Sequence, residues 1–410
     1  MAEPFSLDKL PNEIISIILS NVPLGDDLFN LIRASRLFLG QWRARKRVLL
    51  PVTFATALGS ATSDAITSLA LGNLPWGQLM KGVEKALVEY YEMRSNTSHT
   101  TNRQLLANQP PDIMLSLIKF HRTSVEPLIP VFIAWASNNF DRQQTQSSAS
   151  SAAAQCGTLN LTSHLATVAE RSRITAALYQ YHIVCALYRL NHREGEFASG
   201  ETDFVPFYAC LCAQLQGWEI EQVLTIEMFL YDLAESIWKW YQGAPAETVT
   251  TIRLPGSRLE EWVSFVRSRE VFLPRGLSPI SFVVSALPES FDFDGIVSEP
   301  FRIPRWSSTN RIPVYNKEHA ITALGAIVPD LEAPAGWAYN PQSQRLPASL
   351  PKDDPEFWDI WFNTSTRRQI GLVPRCWGYI FWDEGRIKAS GGDRMLKSYS
   401  WKKRVCCGNR

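Results

Sequence analysis

The sequence predicts a mainly α-helical fold, and three observations carry that prediction. Apolar residues recur with a helical period through roughly the first 250 positions. Apolar residues make up 45% and charged residues 20% of the 410, which supplies a large core and excludes wholesale disorder. Fourteen of the 25 prolines fall in the last 160 residues, so long helices give way there to an irregular region.

Leu10-Pro11-Asn12-Glu13-Ile14 starts the first helix, with Pro at its first position and an acid near its positive end. Ile14, Ile15, Ile17, Ile18, Leu19 and Val22 then cover nearly its whole circumference, and a helix apolar on all sides must be buried on all sides. A second segment comes after Gly25 with Leu28, Leu31 and Ile32 on one face, and Ser35-Arg36 leads into a third with Phe38 and Trp42. Three such helices in about 45 residues are near the lower size limit for a self-sufficient core. Their surplus apolar surface goes either to the rest of the chain or to a partner.

Residues 51–250 read as an α-helical domain. Leu79, Val83, Leu87 and Tyr90 or Tyr91 share one stripe, and Val223, Ile226, Leu230 and Leu233 share another. Pro111 opens a helix, and residues 163–191 carry apolar side chains on most faces. Residues 143–157 hold Gln, Ser, Ala and Thr without a charge and read as a flexible loop. Residues 251–410 read as a mixed, loop-rich, aromatic region. It contains a capping-box helix at Ser257 to Glu260 and another helix near Asp354-Pro355. No repeat of roughly 20 to 50 residues is present to mark a solenoid.

Charge narrows the partners. Lys plus Arg is 41 and Asp plus Glu is 40, without the basic excess of a general nucleic-acid or membrane binder. Arg36 to Arg47 holds five basic residues and no acid, which reads as a solvated helix face. No secretory signal is recognisable in Met1 to Lys9, and the apolar stretch from Ile174 to Leu190 is interrupted by Gln180, His182 and Arg189. The expectation is a soluble protein of the cytoplasm or nucleus, or both, with no nucleic acid or membrane as partner.

No chemistry-bearing motif stands out. Cys210 and Cys212 lie two apart in a helical stretch, diverging by about 200°, and no further Cys or His pair completes a zinc site. The six histidines lack metal-ligand spacing, and Asp292-Phe293-Asp294-Gly295 reads as a turn. No nucleophile elbow, phosphate loop or dinucleotide fingerprint appears. The expectation is no catalytic residue, no metal and no cofactor. The late aromatic clusters Phe357, Trp358, Trp361, Phe362 and Trp377, Tyr379, Phe381, Trp382 read as the core of a small domain or a peptide- or glycan-binding platform. Lys402-Lys403-Arg404 and Cys406-Cys407 belong to a tail expected to be disordered.

The run Leu10-Pro11-x-Glu13-Ile14-x-x-x-Ile18-Leu19, then Asp27-Leu28, Leu31, Ser35-Arg36 and Phe38, resembles an F-box. Phe38 stands where the family more commonly has Trp. With Trp377-Gly378-Tyr379-Ile380-Phe381-Trp382-Asp383, the pattern is similar to filamentous-fungal F-box proteins. The resemblance covers roughly residues 6 to 50 and implies that residues 1–50 form a module that docks on the Skp adaptor of a Skp–cullin–F-box ubiquitin ligase. It implies that Leu10, Pro11, Ile14, Ile18 and Leu19 present the first helix to the adaptor, with Leu28 and Leu31 presenting the second. By helical angle, Ile15, Ile17 and Val22 are expected to face inward. The remaining residues would receive a protein substrate. The alternative is a non-catalytic helical scaffold whose F-box-like segment packs internally.

Overall fold

The computed structural model describes residues 10–22, 26–74, 79–96, 99–149, 166–195, 211, 214–243, 276–287, 291 and 378–392. Among these the ordered structure is helical and contains no strand. The helices are α1 (Asn12–Asn21), α2 (Asp26–Ala34), α3 (Arg36–Leu58), α4 (Thr62–Gly72), α5 (Leu79–Ser95), α6 (His99–Ala107) and α7 (Pro111–Phe120). They continue with α8 (Leu128–Ala149), α9 (Val168–Gly195), α10 (Gly217–Gly243), α11 (Leu277–Ala286) and the short α12 (Glu384–Ala389). The mainly α prediction holds.

The expected stripes mark the buried faces. Val83, Leu87 and Tyr90 of α5 and Ile226, Leu230 and Leu233 of α10 are all buried, which is how helical periodicity converts into packing. Pro111 occupies the first turn of α7, where its missing N–H leaves no bond unmade. The uncharged polar run behaves differently from its reading as a loop. Residues 143–149 are the last turns of α8, and Gln and Ala are good helix formers that need no charge to continue a helix. The rest of that run, 150–157, lies outside the described residues. So do the helices expected near Ser257 and Pro355, the 292–295 turn, Cys210 and Cys212, and residues 402–407.

Helix α9 is the hub, with α4, α8 and α10 packed against it. Its start is fixed by a reciprocal cap. Thr167 N donates to Glu170 Oε2 at 2.8 Å, and Glu170 N donates to Thr167 Oγ1 at 3.1 Å. Helix α3 ends at Gly59, whose φ of 57° favours glycine. A Cβ at that position would also collide with Ser172 Oγ of α9.

One continuous core joins the N-terminal helices to the rest. Ile15, Leu19, Leu28 and Phe38 belong to the same buried cluster as Phe54 and Leu58 of α3 and Ile174 and Tyr179 of α9. Helix α3 runs straight through position 50, so residues 1–50 share their core with later helices. The late aromatic motif joins this core too, instead of forming the core of a small separate domain. Tyr379, Ile380, Phe381 and Trp382 are buried, with Phe381 edge-on to Phe132 of α8 at 4.9 Å between ring centroids. Arg173 of α9 locks the segment down, donating through Nε and Nη2 to Phe381 O at 2.9 and 2.8 Å.

Candidate functional site

Helix α1 is built to expose one face. Pro11 precedes it in extended geometry, Ile15 N donates to Pro11 O at 3.1 Å, and Glu13 lies in the first turn. At 100° per residue, Ile15 and Leu19 fall together, with Ile18 and Val22 flanking them. That face packs on α3, and Ile15 and Leu19 are both 0% exposed. Opposite it lie Ile14, 41% exposed, and Ile17, 55% exposed. Polar contacts set the rotation: Gln41 Nε2 of α3 donates to Ser16 Oγ at 2.7 Å, and Arg45 Nη1 reaches the same oxygen at 3.3 Å.

The expected face is therefore partly reassigned. Ile14 and Pro11 are exposed, and Leu10, Ile18 and Leu31 are half-buried. Leu19 and Leu28 turn into the core, Leu28 at 0% exposure, because each lies on the side of its helix that meets α3. Ile17, expected to face inward, faces out. Helix α2 is also held at Phe29, where the Arg122 guanidinium lies over the ring at 4.8 Å. Ser35 caps α3 by accepting from Leu37 N at 3.2 Å.

The exposed pair makes a small apolar anchor. Burying one such side chain fully contributes about 1.5–3 kcal/mol, and Ile14 and Ile17 begin about half exposed. Together they supply a hydrophobic contact of a few kcal/mol at most, without any group for chemistry. Compared with family models, curated proteins and solved structures, the chain matches none. Among the described residues no cluster of three or more His, Cys, Asp or Glu is placed to hold a metal. No described helix is long and apolar enough to cross a membrane.

A second constellation, invisible in the sequence, lies between α4, α5, α9 and α10. Asp64 Oδ1 accepts from Tyr90 OH at 2.5 Å, from Gln180 Nε2 at 3.4 Å and from Arg94 Nη1 at 3.5 Å. Arg94 Nη2 lies 2.5 Å from Glu219 Oε2. Two carboxylates thus share one guanidinium. Burial pushes the Asp64 carboxyl up to about 6, with Arg94, Tyr90 and Gln180 opposing that rise and Glu219 adding to it. Such a pair has the makings of acid–base chemistry, but Asp64, Tyr90, Arg94 and Glu219 are all buried. In this conformation a substrate does not reach them, and the network acts as a polar clamp inside the core. Its members are 26 to 155 positions from Asp64, so no local motif announces it.

Proposed function

We propose that this chain is an F-box-type substrate receptor. It docks through α1 on a Skp-type adaptor and through that on a cullin ligase, in the cytoplasm or nucleus. The observation that carries the reading is the Leu10-Pro11-x-Glu13-Ile14 helix start on a helix that leaves Ile14 and Ile17 exposed, with Pro11 also exposed and Leu10, Ile18 and Leu31 half-buried. A helix laid into a groove needs apolar anchors at this kind of spacing. The receptor performs no chemistry of its own. It raises the effective concentration of a protein substrate near the ligase's ubiquitin-charged enzyme. The burial of Leu19 and Leu28 narrows the anchors to the outer face of α1.

A second reading, a helical scaffold with no adaptor, is favoured by one observation. The N-terminal helices share a single core with residues beyond 50, as a segment that packs internally would. Co-purification with the Skp-type adaptor of the same organism separates the two. The receptor reading expects a stoichiometric complex that Ile17→Asp abolishes. Its failure to form with the unmodified chain would leave the scaffold.

A further inference from the structure

Helix α3 carries five cations, Arg36, Arg43, Arg45, Lys46 and Arg47, and no carboxylate in 23 residues. All five are exposed. Three exposed lysines on other helices pair with an acid one turn away, in Lys85–Glu89, Glu235–Lys239 and Glu384–Lys388. None of the five on α3 pairs with a described carboxylate. Arg45 lies toward α1 and binds Ser16. The others are set apart from it: at 100° per residue, Arg36, Gly40, Arg43 and Arg47 fall within about 60° of one another, and Lys46 borders them. Phe38 and Leu49, both buried, occupy the opposite side of the helix.

Two features make this stripe more than a solvated face. Gly40 interrupts the arginines, and a Cβ there would meet nothing within 4 Å, so the helix offers an open notch where a backbone can come close. The charges also work against their own helix. Arg36 occupies its first position, at the positive end of the dipole, with no acid in the first turn, and Arg43 and Arg47 are like charges one turn apart. An anionic ligand relieves both repulsions at once.

We infer that this stripe is a docking face for an acidic segment of a protein partner. Its carboxylates would pair with the forked guanidiniums of Arg36, Arg43 and Arg47, with its backbone passing over Gly40. The stripe is about 16 Å long, the span of roughly five extended residues or three helical turns. A short acidic peptide suits it better than a long polyanion, because the chain as a whole carries only +1 and offers no extended basic surface. The inference does not rest on adaptor docking at α1.

The test uses the full chain and a labelled alternating Glu/Ala peptide long enough to span the stripe, with the Gln/Ala peptide as control. Fluorescence anisotropy at low salt should show binding of the first and not the second. Replacing Arg36, Arg43 and Arg47 together with Gln should weaken binding by at least about tenfold. Replacing Lys85 and Lys239 with Gln should leave it unchanged. Gly40→Leu should weaken it several-fold with no change of charge or loss of melting temperature, which diffuse electrostatics does not predict. It also keeps the question decidable if the triple variant folds poorly. Absence of peptide binding, or equal binding by Gly40→Leu, overturns the inference. So does tighter binding to a single-stranded oligonucleotide or to phosphatidylserine-containing vesicles, which would assign the stripe to those ligands instead.

Discussion

Arg94 and Glu219 meet inside the core across 125 positions of sequence, with Nη2 2.5 Å from Oε2. The same carboxylate oxygen accepts from Gln216 N at 2.8 Å, capping the start of α10. The ion pair and the helix cap are therefore one feature, and Asp64 depends on the same guanidinium. Replacing Arg94 with Met strands two buried carboxylates together. Breaking a buried pair from one side typically costs about 3–5 kcal/mol, so urea unfolding of Arg94→Met should show a loss of that order. Adding Glu219→Gln and Asp64→Asn to the same chain should recover part of it. A loss below about 1 kcal/mol for the single variant would mean that the pair is dispensable.

Two buried groups pull stability in opposite directions with pH. Asp64 has its folded carboxyl near 6 against an ordinary 3.8, through burial above all. The folded state then binds the extra proton, and stability falls as pH rises from about 4 to 6. Burial, then the nearby charge of Arg171, lowers His121 from 6.5 to about 4. Here the unfolded state binds the extra proton, and stability falls as pH drops from about 6.5 to 4. The opposed contributions are each on the order of 3 kcal/mol. Relative to the unmodified chain, Asp64→Asn should become more stable with rising pH across that window, and His121→Gln less. Denaturant unfolding at several pH values from about 4 to 6.5 reads both slopes, and parallel curves would refute the assignment.

Periodicity reveals which face of a helix is buried only when one face is polar. That is why α5 was legible, since Val83, Leu87 and Tyr90 alternate with Glu84, Lys85 and Glu89. Helix α1 offers no such contrast. Isoleucines and Leu19 surround it, and only contact with α3 decides that Ile15 and Leu19 go in while Ile17 stays out. Tertiary pairing likewise hid the Asp64–Arg94–Glu219 network, whose members share no local pattern. The aromatic run ending in Trp382 was recognisable as core material. Its packing depends on Phe132 and Arg173, some two hundred or more positions earlier.

The C-terminal segment gives a sharp contrast between neighbours. Arg386 Nε lies 2.9 Å from Glu170 Oε1, and that glutamate is fully buried. The same Glu170 caps α9 and accepts from Asp383 N at 3.0 Å. Two residues on, Lys388 pairs with Glu384 in the open. Arg386→Met should lower stability by about 3 kcal/mol, whereas Lys388→Met should be neutral within error, because exposed pairs contribute little. Thermal unfolding of the two single variants checks this. Equal effects would mean that the segment is not anchored through Glu170.

The adaptor reading turns on two residues whose expected orientations the structure exchanges. Leu28 is fully buried and Ile17 is more than half exposed. An aspartate at Leu28 places a charge in the core with no partner, so it should lower the melting temperature sharply under either reading of function. Its effect on binding is therefore uninformative by itself. An aspartate at Ile17 meets water and should leave the melting temperature nearly unchanged. If α1 docks in an apolar groove, that charge is buried only in the complex. Truncating an interface anchor alone typically loses about 2–4 kcal/mol, which is roughly a 30- to 1,000-fold weaker complex. Calorimetric titration of the adaptor into unmodified and Ile17→Asp chains, with melting curves for both, gives the decisive pair of numbers. Strong binding by the unmodified chain that Ile17→Asp leaves intact would move the docking face away from the outer side of α1. The scaffold reading instead expects no heat from either titration.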